Sequence, residues 1–422
     1  MFKPISVSLL PNNNAADILK ALKLIFQPKN WVHGKGTKQL ETDFENIYPG
    51  FRTISFLNGR TGLLAILNCL GIAKGDEVLL QAFTCVVVAN SVIKCGAKPV
   101  YVDIDKDSFN MDPDDLARKI TPKSKAIIVQ HTFGYPAPVN EIVKIAAKYG
   151  LKMIEDCAHV IGASFVGKKL GTFGEAAFFS FGRDKVISSV FGGMVITKDQ
   201  KLFNKLKKYH RSLSYPTRFF VFRQLLYLVL FSLILSVYNF FSLGKILLVF
   251  FQKLRIFINP VQDCEQRGIL PSYFIGRIPN SLALLACFQL AKLSQFNENR
   301  QRIVKLYAAG LENLPIELPN YQEGANVFPL LRFTIKTEKA QKLYRFAKIR
   351  EVILNNWYYP SISPPGVNYS VIGYDPKTCP VAEKTSPLVV NLPTHPKIGL
   401  REAKKVIKVI RQFFDYGVKT GR

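Results

Sequence analysis

The sequence predicts an α/β protein built from a large, mainly parallel sheet domain, a smaller C-terminal α+β domain and a hydrophobic helical insert. Three observations point there. Residues 52–200 alternate short apolar runs with helical stretches, the pattern of a parallel sheet covered on both faces. Residues 200–262 contain ten Lys/Arg and no Asp or Glu, and they enclose the uncharged run Gln224–Gly244. From about residue 265 onward, helices and strands resume with a different spacing. At 422 residues the chain is long for one simple core, so two main domains are the natural division. The boundaries read as 1–217 for the large domain, 218–258 for the insert, and 259–422 for the connection and small domain.

The first strand is Ile54–Leu57, followed by the turn Asn58-Gly59-Arg60-Thr61-Gly62 and a helical run to Leu70. Glu77–Leu80 is a second strand, and a helix over Val86–Cys95 leads to a third at Pro99–Asp103. Ala126–Gln130, Lys152–Glu155, Ala176–Phe181 and Gly193–Thr197 complete the series. In the C-terminal part, Pro279–Gln301 reads as helix, Phe328–Ile335 and Pro387–Asn391 as strands, and Glu338–Ala347 and Arg401–Asp415 as helices. Ligands of parallel sheets sit beyond the carboxyl ends of strands. Asp156, His159 and Lys185 all follow such ends.

Composition narrows the function. The net charge of +27 suits nucleic acid, an anionic membrane surface or phosphorylated substrates. No helix-turn-helix, zinc-finger or aromatic RNA-binding signature occurs, which excludes a nucleic-acid partner on sequence grounds. The seven cysteines are scattered without a C-x-x-C pair, so neither a zinc site nor a disulfide framework is signalled. That usage fits a reducing compartment, the cytoplasm. The first residues lack an apolar core of secretory length.

Two short segments carry candidate chemistry. In Ser180-Phe181-Gly182-Arg183-Asp184-Lys185, a lysine after a buried strand can be desolvated, which frees its amine to attack a carbonyl. An isolated lysine is usually a surface residue, but this one precedes Ser188-Ser189 and the close-approach pair Gly192-Gly193. In Asp156-Cys157-Ala158-His159, a carboxylate at a strand end can keep a pyridine nitrogen protonated and make the ring an electron sink. The plainer alternatives are a helix cap for Asp156 and a satisfied core histidine for His159. The turn around Gly59 and Arg60 opens a helix, where N–H groups and a guanidinium suit a phosphate.

With these segments in place, the chain resembles the DegT/DnrJ/EryC1/StrS family of sugar aminotransferases, fold-type I enzymes that use pyridoxal 5'-phosphate (PLP). The matching stretches are GDEVLLQAFTCVVVANSVIKCGAKPVYVDID (75–105), IEDCAHVIGASFVGKKLGTFGEAAFFSF (154–181) and KVISSVFGG (185–193), with a weaker continuation at Pro279–Arg300 and Asn391–Pro396. The resemblance implies that Lys185 holds PLP as a Schiff base and shuttles a proton, and that Asp156 binds the pyridine nitrogen. It puts His159 near the ring, and Gly59, Arg60 and Ser180 at the phosphate. Thr84 falls in the loop over the cofactor's face. Three positions depart from the family pattern. Arg60 replaces a small hydroxyl residue. Cys85 stands where an aromatic residue is common, with Phe83 as its substitute. Val190-Phe191 replaces Gly-Glu.

The implied reaction passes an amino group from a donor, glutamate in such enzymes, to a keto-sugar that is nucleotide-linked or lipid-linked, in cell-envelope glycan or polysaccharide synthesis. A homodimer with shared active sites is implied as well. PLP-dependent dehydration and an inactive membrane-bound regulator are the competing functions on this scaffold. Retention of Lys185 and Asp156 favours transamination.

The insert lies outside the family pattern. Gln224–Gly244 has 21 uncharged residues flanked by Arg218, Arg223 and Lys245, and a second apolar run, Ile246–Phe251, leads to Lys253 and Arg255. One such run meets the length for a single crossing, but a compact enzyme needs its chain to return. Asn239, Ser242 and Gly244 offer a bend. The favoured expectation is a hairpin resting on an anionic membrane at the inner face of the cytoplasmic membrane. A helical arm against a partner subunit is the alternative.

Overall fold

A run such as Ala126-Ile127-Ile128-Val129 buries every side chain, which suits a strand sandwiched between helical layers. In the computed structural model, which describes residues 4–241, 243–253, 257–324 and 326–420, seven strands form one sheet. They are β1 (Arg52–Phe56), β2 (Glu77–Gln81), β3 (Lys98–Val102), β4 (Ser124–Gln130), β5 (Lys152–Asp156), β6 (Ala176–Ser180) and β7 (Gly193–Thr197). Their spatial order is β1-β7-β6-β5-β4-β2-β3. All adjacent pairs are parallel except those made by β7, which is antiparallel to both β6 and β1. No helix separates β6 from β7, so the chain folds back beside the strand it has just left. Side chains alternate across the sheet: Phe178 joins one core, and Ala177 and Phe179 the other.

The main helices are α1 (Ala15–Ile25), α2 (Gly36–Ile47), α3 (Gly59–Cys69), α4 (Val86–Lys94), α5 (Arg218–Ser236), α6 (Leu243–Lys253), α7 (Asn280–Leu290), α8 (Leu293–Leu311) and α9 (Leu400–Thr420). Helix α1 starts with a capping box. Asn14 accepts from the Asp17 N–H, and the Asp17 carboxylate accepts from the Asn14 N–H. Asp17 is buried and also takes Gln289 and Lys292 of the α7 region, which ties the chain's start to the face opposite α3.

The C-terminal part carries an antiparallel pair, β8 (Arg332–Lys336) and β9 (Val389–Pro393). One hydrophobic core runs from Val78 of the large sheet to Phe333 and Ile335 of β8 and Val406 and Ile410 of α9. Ile5–Ser6 pairs with Val352–Ile353, so the N-terminal residues belong spatially with the small domain.

Two segments differ from the sequence expectation, and the insert takes the form expected of it. Pro279–Gln301 is two helices, α7 and α8, interrupted between Leu290 and Leu293. The strand expected from Phe328 begins only at Arg332, because the preceding backbone bonds elsewhere. Leu331 N–H donates to Phe133 O, and the Leu330 and Leu331 carbonyls accept from Thr394. The insert is a pair of helices joined by a turn, the hairpin form that the bend and the second apolar run suggested. Helix α5 buries Val221, Leu225, Leu228, Phe231 and Leu235 in the chain's own core, and it packs on α1 and α6. The turn between α5 and α6 contains Asn239, whose side chain donates to Glu351. Ser242 and Arg255, named for the bend and the basic flank, lie outside the described residues.

Candidate active site

The carboxyl ends of β4, β5 and β6 bring Gln130, Asp156 and Ser180 to one edge of the sheet, with Gln130 opposite Asp156 in register. Helix α3 starts beside them, capped by Asn58, whose side chain accepts from Thr61 N–H at 2.9 Å. The β6–β7 connection crosses in front and carries Lys185. These elements line a cleft beyond the carboxyl ends of the strands, where ligands of parallel sheets sit.

Gly59, Arg60, Asp156, His159, Ser180 and Lys185 all line this cleft. Thr84 does not. Its hydroxyl donates to Gln130 at 2.5 Å in the buried layer behind, and Cys85 reaches the cleft in its stead. Phe83, the expected stacking substitute, packs with Phe109, Phe133 and Tyr358 and lies outside the lining. The aromatic lining comes from Phe178, Phe191, Trp357 and Tyr358. Trp357 and Tyr358 escaped the sequence reading. Their only signal was the aromatic run Trp357-Tyr358-Tyr359, which lies outside every segment that carried the resemblance.

The lysine and histidine form a defined pair. Lys185 Nζ lies 3.0 Å from His159 Nε2, and Tyr358 Oη lies 3.3 Å from the same nitrogen. His159 Nδ1 accepts the Phe133 N–H at 3.0 Å, so the neutral ring carries its proton on Nε2. Burial holds the imidazole well below its ordinary pKa, and the Lys185 charge acts in the same direction. Burial also lowers Lys185, against the opposing pull of Asp184 and Asp156. Both groups are thereby pushed toward neutrality, and a neutral Lys185 amine can accept the Nε2–H. The lysine is anchored at its backbone: Asn12 donates to Lys185 O at 2.5 Å, and buried Arg300 donates to Val186 O at 2.8 Å.

Asp156 is 4% exposed and accepts the Ala158 N–H at 2.9 Å. Desolvation raises its pKa to about 6, with the Ala158 bond and the Lys185 charge opposing. A carboxylate at this depth lacks a full counter-ion, and a protonated ring nitrogen would supply one. At the other end of the cleft, a Cβ on Gly59 would come within 3.2 Å of Ser180 Cβ, so glycine lets the helix start close on the Ser180 hydroxyl. That pocket of N–H groups and hydroxyl has the donor set for a phosphate. The Arg60 side chain is already engaged with the buried Glu265 carboxylate and the Pro260 carbonyl, which leaves its backbone toward that pocket. A reactive amine, a buried carboxylate and a phosphate-type helix start thus fit PLP.

Gly193 abuts the same turn. A Cβ there would meet the Asn58 carbonyl carbon at 2.5 Å and Gly59 N at 2.7 Å. Gly193→Ala is therefore expected to destabilise the protein by about 1–3 kcal/mol and to weaken PLP binding. Thermal unfolding and cofactor titration read the two effects.

The structure also gathers His131, Glu155 and Cys157 within 4.8 Å, a grouping that sequence spacing hides. Their polar atoms hold the backbone: Glu155 accepts from Gly171, Phe173 and Gly174, and His131 Nδ1 accepts from Ala137.

The large, mainly parallel sheet has the fold of solved aminotransferases of fold type I, and the family match makes the protein a PLP-dependent aminotransferase. The chain belongs to the DegT/DnrJ/EryC1/StrS aminotransferase family, whose model matches residues 12–218 and 266–411. The match leaves 219–265 outside, a stretch that contains nearly all of the insert. A relative from Acidithiobacillus ferrooxidans, named UDP-N-acetyl-3-dehydro-alpha-D-glucosamine 3-aminotransferase, is 28% identical, with 94% of this chain and 93% of that protein covered. A pleiotropic regulatory protein of Geobacillus stearothermophilus is also 28% identical, with 94% of each covered. Among solved structures, Helicobacter pylori PseC, an aminotransferase of pseudoaminic acid biosynthesis, aligns with a TM-score of 0.75 at 20% identity, covering 98% of this chain and 100% of that one.

Proposed function

We propose that the protein transfers an amino group from glutamate to a keto-sugar, nucleotide-linked or lipid-linked, in polysaccharide or cell-envelope glycan synthesis. The observation that carries this reading is the convergence of Lys185, Asp156 and the Gly59 turn on one cleft. Lys185 would bond to PLP through its neutral amine, and Asp156 would hold the ring nitrogen. Gly59, Ser180 and the backbone at Arg60 would receive the phosphate. Bound PLP supplies the carbonyl that accepts nitrogen and a ring that withdraws electrons. Lys185 Nζ then moves a proton at the reacting carbon, and His159 Nε2–H steadies that amine between transfers. Trp357, with its ring 5.2 Å from Lys185 Nζ, walls off water. A purified sample whose cofactor absorbance shifts on adding glutamate, and which then aminates a keto-sugar nucleotide detected by mass spectrometry, supports the reading. A cofactor band indifferent to every amino donor favours dehydration.

A cytoplasmic homodimer is part of the proposal. Leu19, Leu22 and Phe26 leave an apolar strip on α1 in the single chain, and sedimentation velocity tests for the dimer. The insert is proposed as the contact with an anionic membrane. Leu243, Ile246, Val249 and Phe250 form an exposed stripe along α6 at helical spacing, continued by Phe240 and by Phe241, which is 87% exposed. Lys245 and Lys253 stand exposed beside it. A full crossing by α5 would strip its buried face from the core, whereas α6 can lie in the interface as it stands. Ile246→Asp with Phe250→Asp is expected to weaken binding to phosphatidylglycerol-containing vesicles more than tenfold, at about 1.5–3 kcal/mol per apolar side chain. Vesicle co-sedimentation unchanged by the pair would count against the membrane contact.

A further inference from the structure

The insert and the residues that follow it pack against parts of the cleft wall. Pro260 and Val261, just after it, line the cleft, and Arg60 holds Pro260 in place. From α5, Tyr227 lies under the guanidinium of Arg183, whose central carbon is 3.8 Å from the ring centroid. Tyr227 is 5% exposed and wedged between Phe231 and Phe257, each about 5.1 Å away. Arg183 thus rests on a packed aromatic shelf.

Arg183 is a cleft residue short of a counter-ion. The two acids that line the cleft are turned to other partners: Asp184 pairs with Arg332 at 2.8 Å, and Asp156 accepts the Ala158 N–H at 2.9 Å. Among the described residues no carboxylate pairs with Arg183, and its Nη2 is buried without a hydrogen-bond acceptor. A buried guanidinium left in this state is costly, and an aromatic face offsets only part of that cost. A carboxylate matches its planar fork with two parallel hydrogen bonds.

We infer that Arg183, carried on the α5 shelf, is a subsite for the α-carboxylate of the amino donor, a reading that rests on the aminotransferase function proposed above. Position favours the donor over a distant phosphate of the sugar substrate. Arg183 sits two residues before Lys185 in one turn, closed by Lys185 N–H donating to Gly182 O. In an amino acid the α-carboxylate is bonded to the very carbon whose nitrogen is transferred. The shelf falls within 219–265, the stretch the family match omits, whereas Arg183 itself lies inside the match.

The test uses glutarate, an unreactive dicarboxylate, titrated calorimetrically into the PLP-loaded protein. Arg183→Gln is expected to weaken glutarate binding about 10- to 100-fold and to leave the PLP dissociation constant unchanged. Arg183→Lys keeps the charge without the fork and is expected to fall between. Tyr227→Leu removes the shelf and is expected to weaken glutarate while sparing PLP, so it and Arg183→Lys decide the matter if the glutamine variant folds poorly. Glutarate binding unmoved in these variants overturns the subsite. So does a comparable loss of PLP affinity, which would assign Arg183 to the cofactor. The parent reading fails separately: a protein that binds PLP but never converts it with glutamate is no aminotransferase, whatever Arg183 does.

Discussion

Lys185→Ala is expected to bind PLP reversibly, without the covalent link, and to lose glutamate-dependent conversion of the cofactor by about 100- to 10,000-fold, the range of one positioned acid–base group. The expectation follows from the environment of the amine. Burial lowers the Lys185 pKa toward its neutral form, which is the form that attacks a carbonyl, and His159 Nε2 lies 3.0 Å from the amine. Stopped-flow absorbance with glutamate reads the loss. Borohydride treatment followed by peptide mass spectrometry reads the missing link, which should map to Lys185 in the unaltered protein. A label on any other lysine would remove Lys185 from its role.

Asp156→Asn is expected to slow the same conversion about 100- to 1,000-fold, the usual cost of removing one preorganised charge from a dry site. It also has a signature in the cofactor-free protein. The Asp156 pKa is about 6 in the fold, against about 3.9 in an unfolded chain. A raised carboxyl pKa means the folded state holds a proton that the unfolded state has released. The stabilising contribution is therefore full below about pH 4 and is lost as pH rises through 6. The shift corresponds to about 3 kcal/mol. Cofactor-free protein should lose thermal stability between pH 4 and 7 relative to Asp156→Asn, and PLP should restore it at neutral pH. Parallel pH profiles for the two proteins would show that Asp156 does not carry the buried charge.

The large sheet was legible in the sequence because each strand is a short apolar run ended by a turn, and Gly193–Thr197 was placed to the residue. Its antiparallel direction was not legible, since a run of buried side chains looks the same in either direction. Direction depends on whether the connection carries a helix. The site divided in the same way. Asp156, His159 and Lys185 stand in two short segments whose chemistry is local. Trp357 and Tyr358 arrive from the other domain, held by Arg332 packed on Trp357 at 3.6 Å, by Asn391 accepting the Trp357 N–H and by Ser386 donating to the Tyr358 carbonyl. Thr84 and Cys85 were separated by one position of strand alternation, which turns one side chain to Gln130 and the next to the cleft. The insert's two helices followed from composition, but the shelf that Tyr227 offers Arg183 did not, because an aromatic residue in an apolar run carries no mark of its contacts.

The backbone anchors of Lys185 bear on the order in which the chain can become competent during synthesis. The segment bearing the amine is gripped by Asn12, near the start of the chain, and by Arg300, while its neighbour Asp184 is gripped by Arg332. A nascent polypeptide that has emerged only as far as the insert already possesses the lysine, the buried acid and the helix start, yet it lacks two of the three grips and the tryptophan wall. Cofactor capture is thus expected to wait for the last third of the chain rather than for completion of the sheet that displays the site.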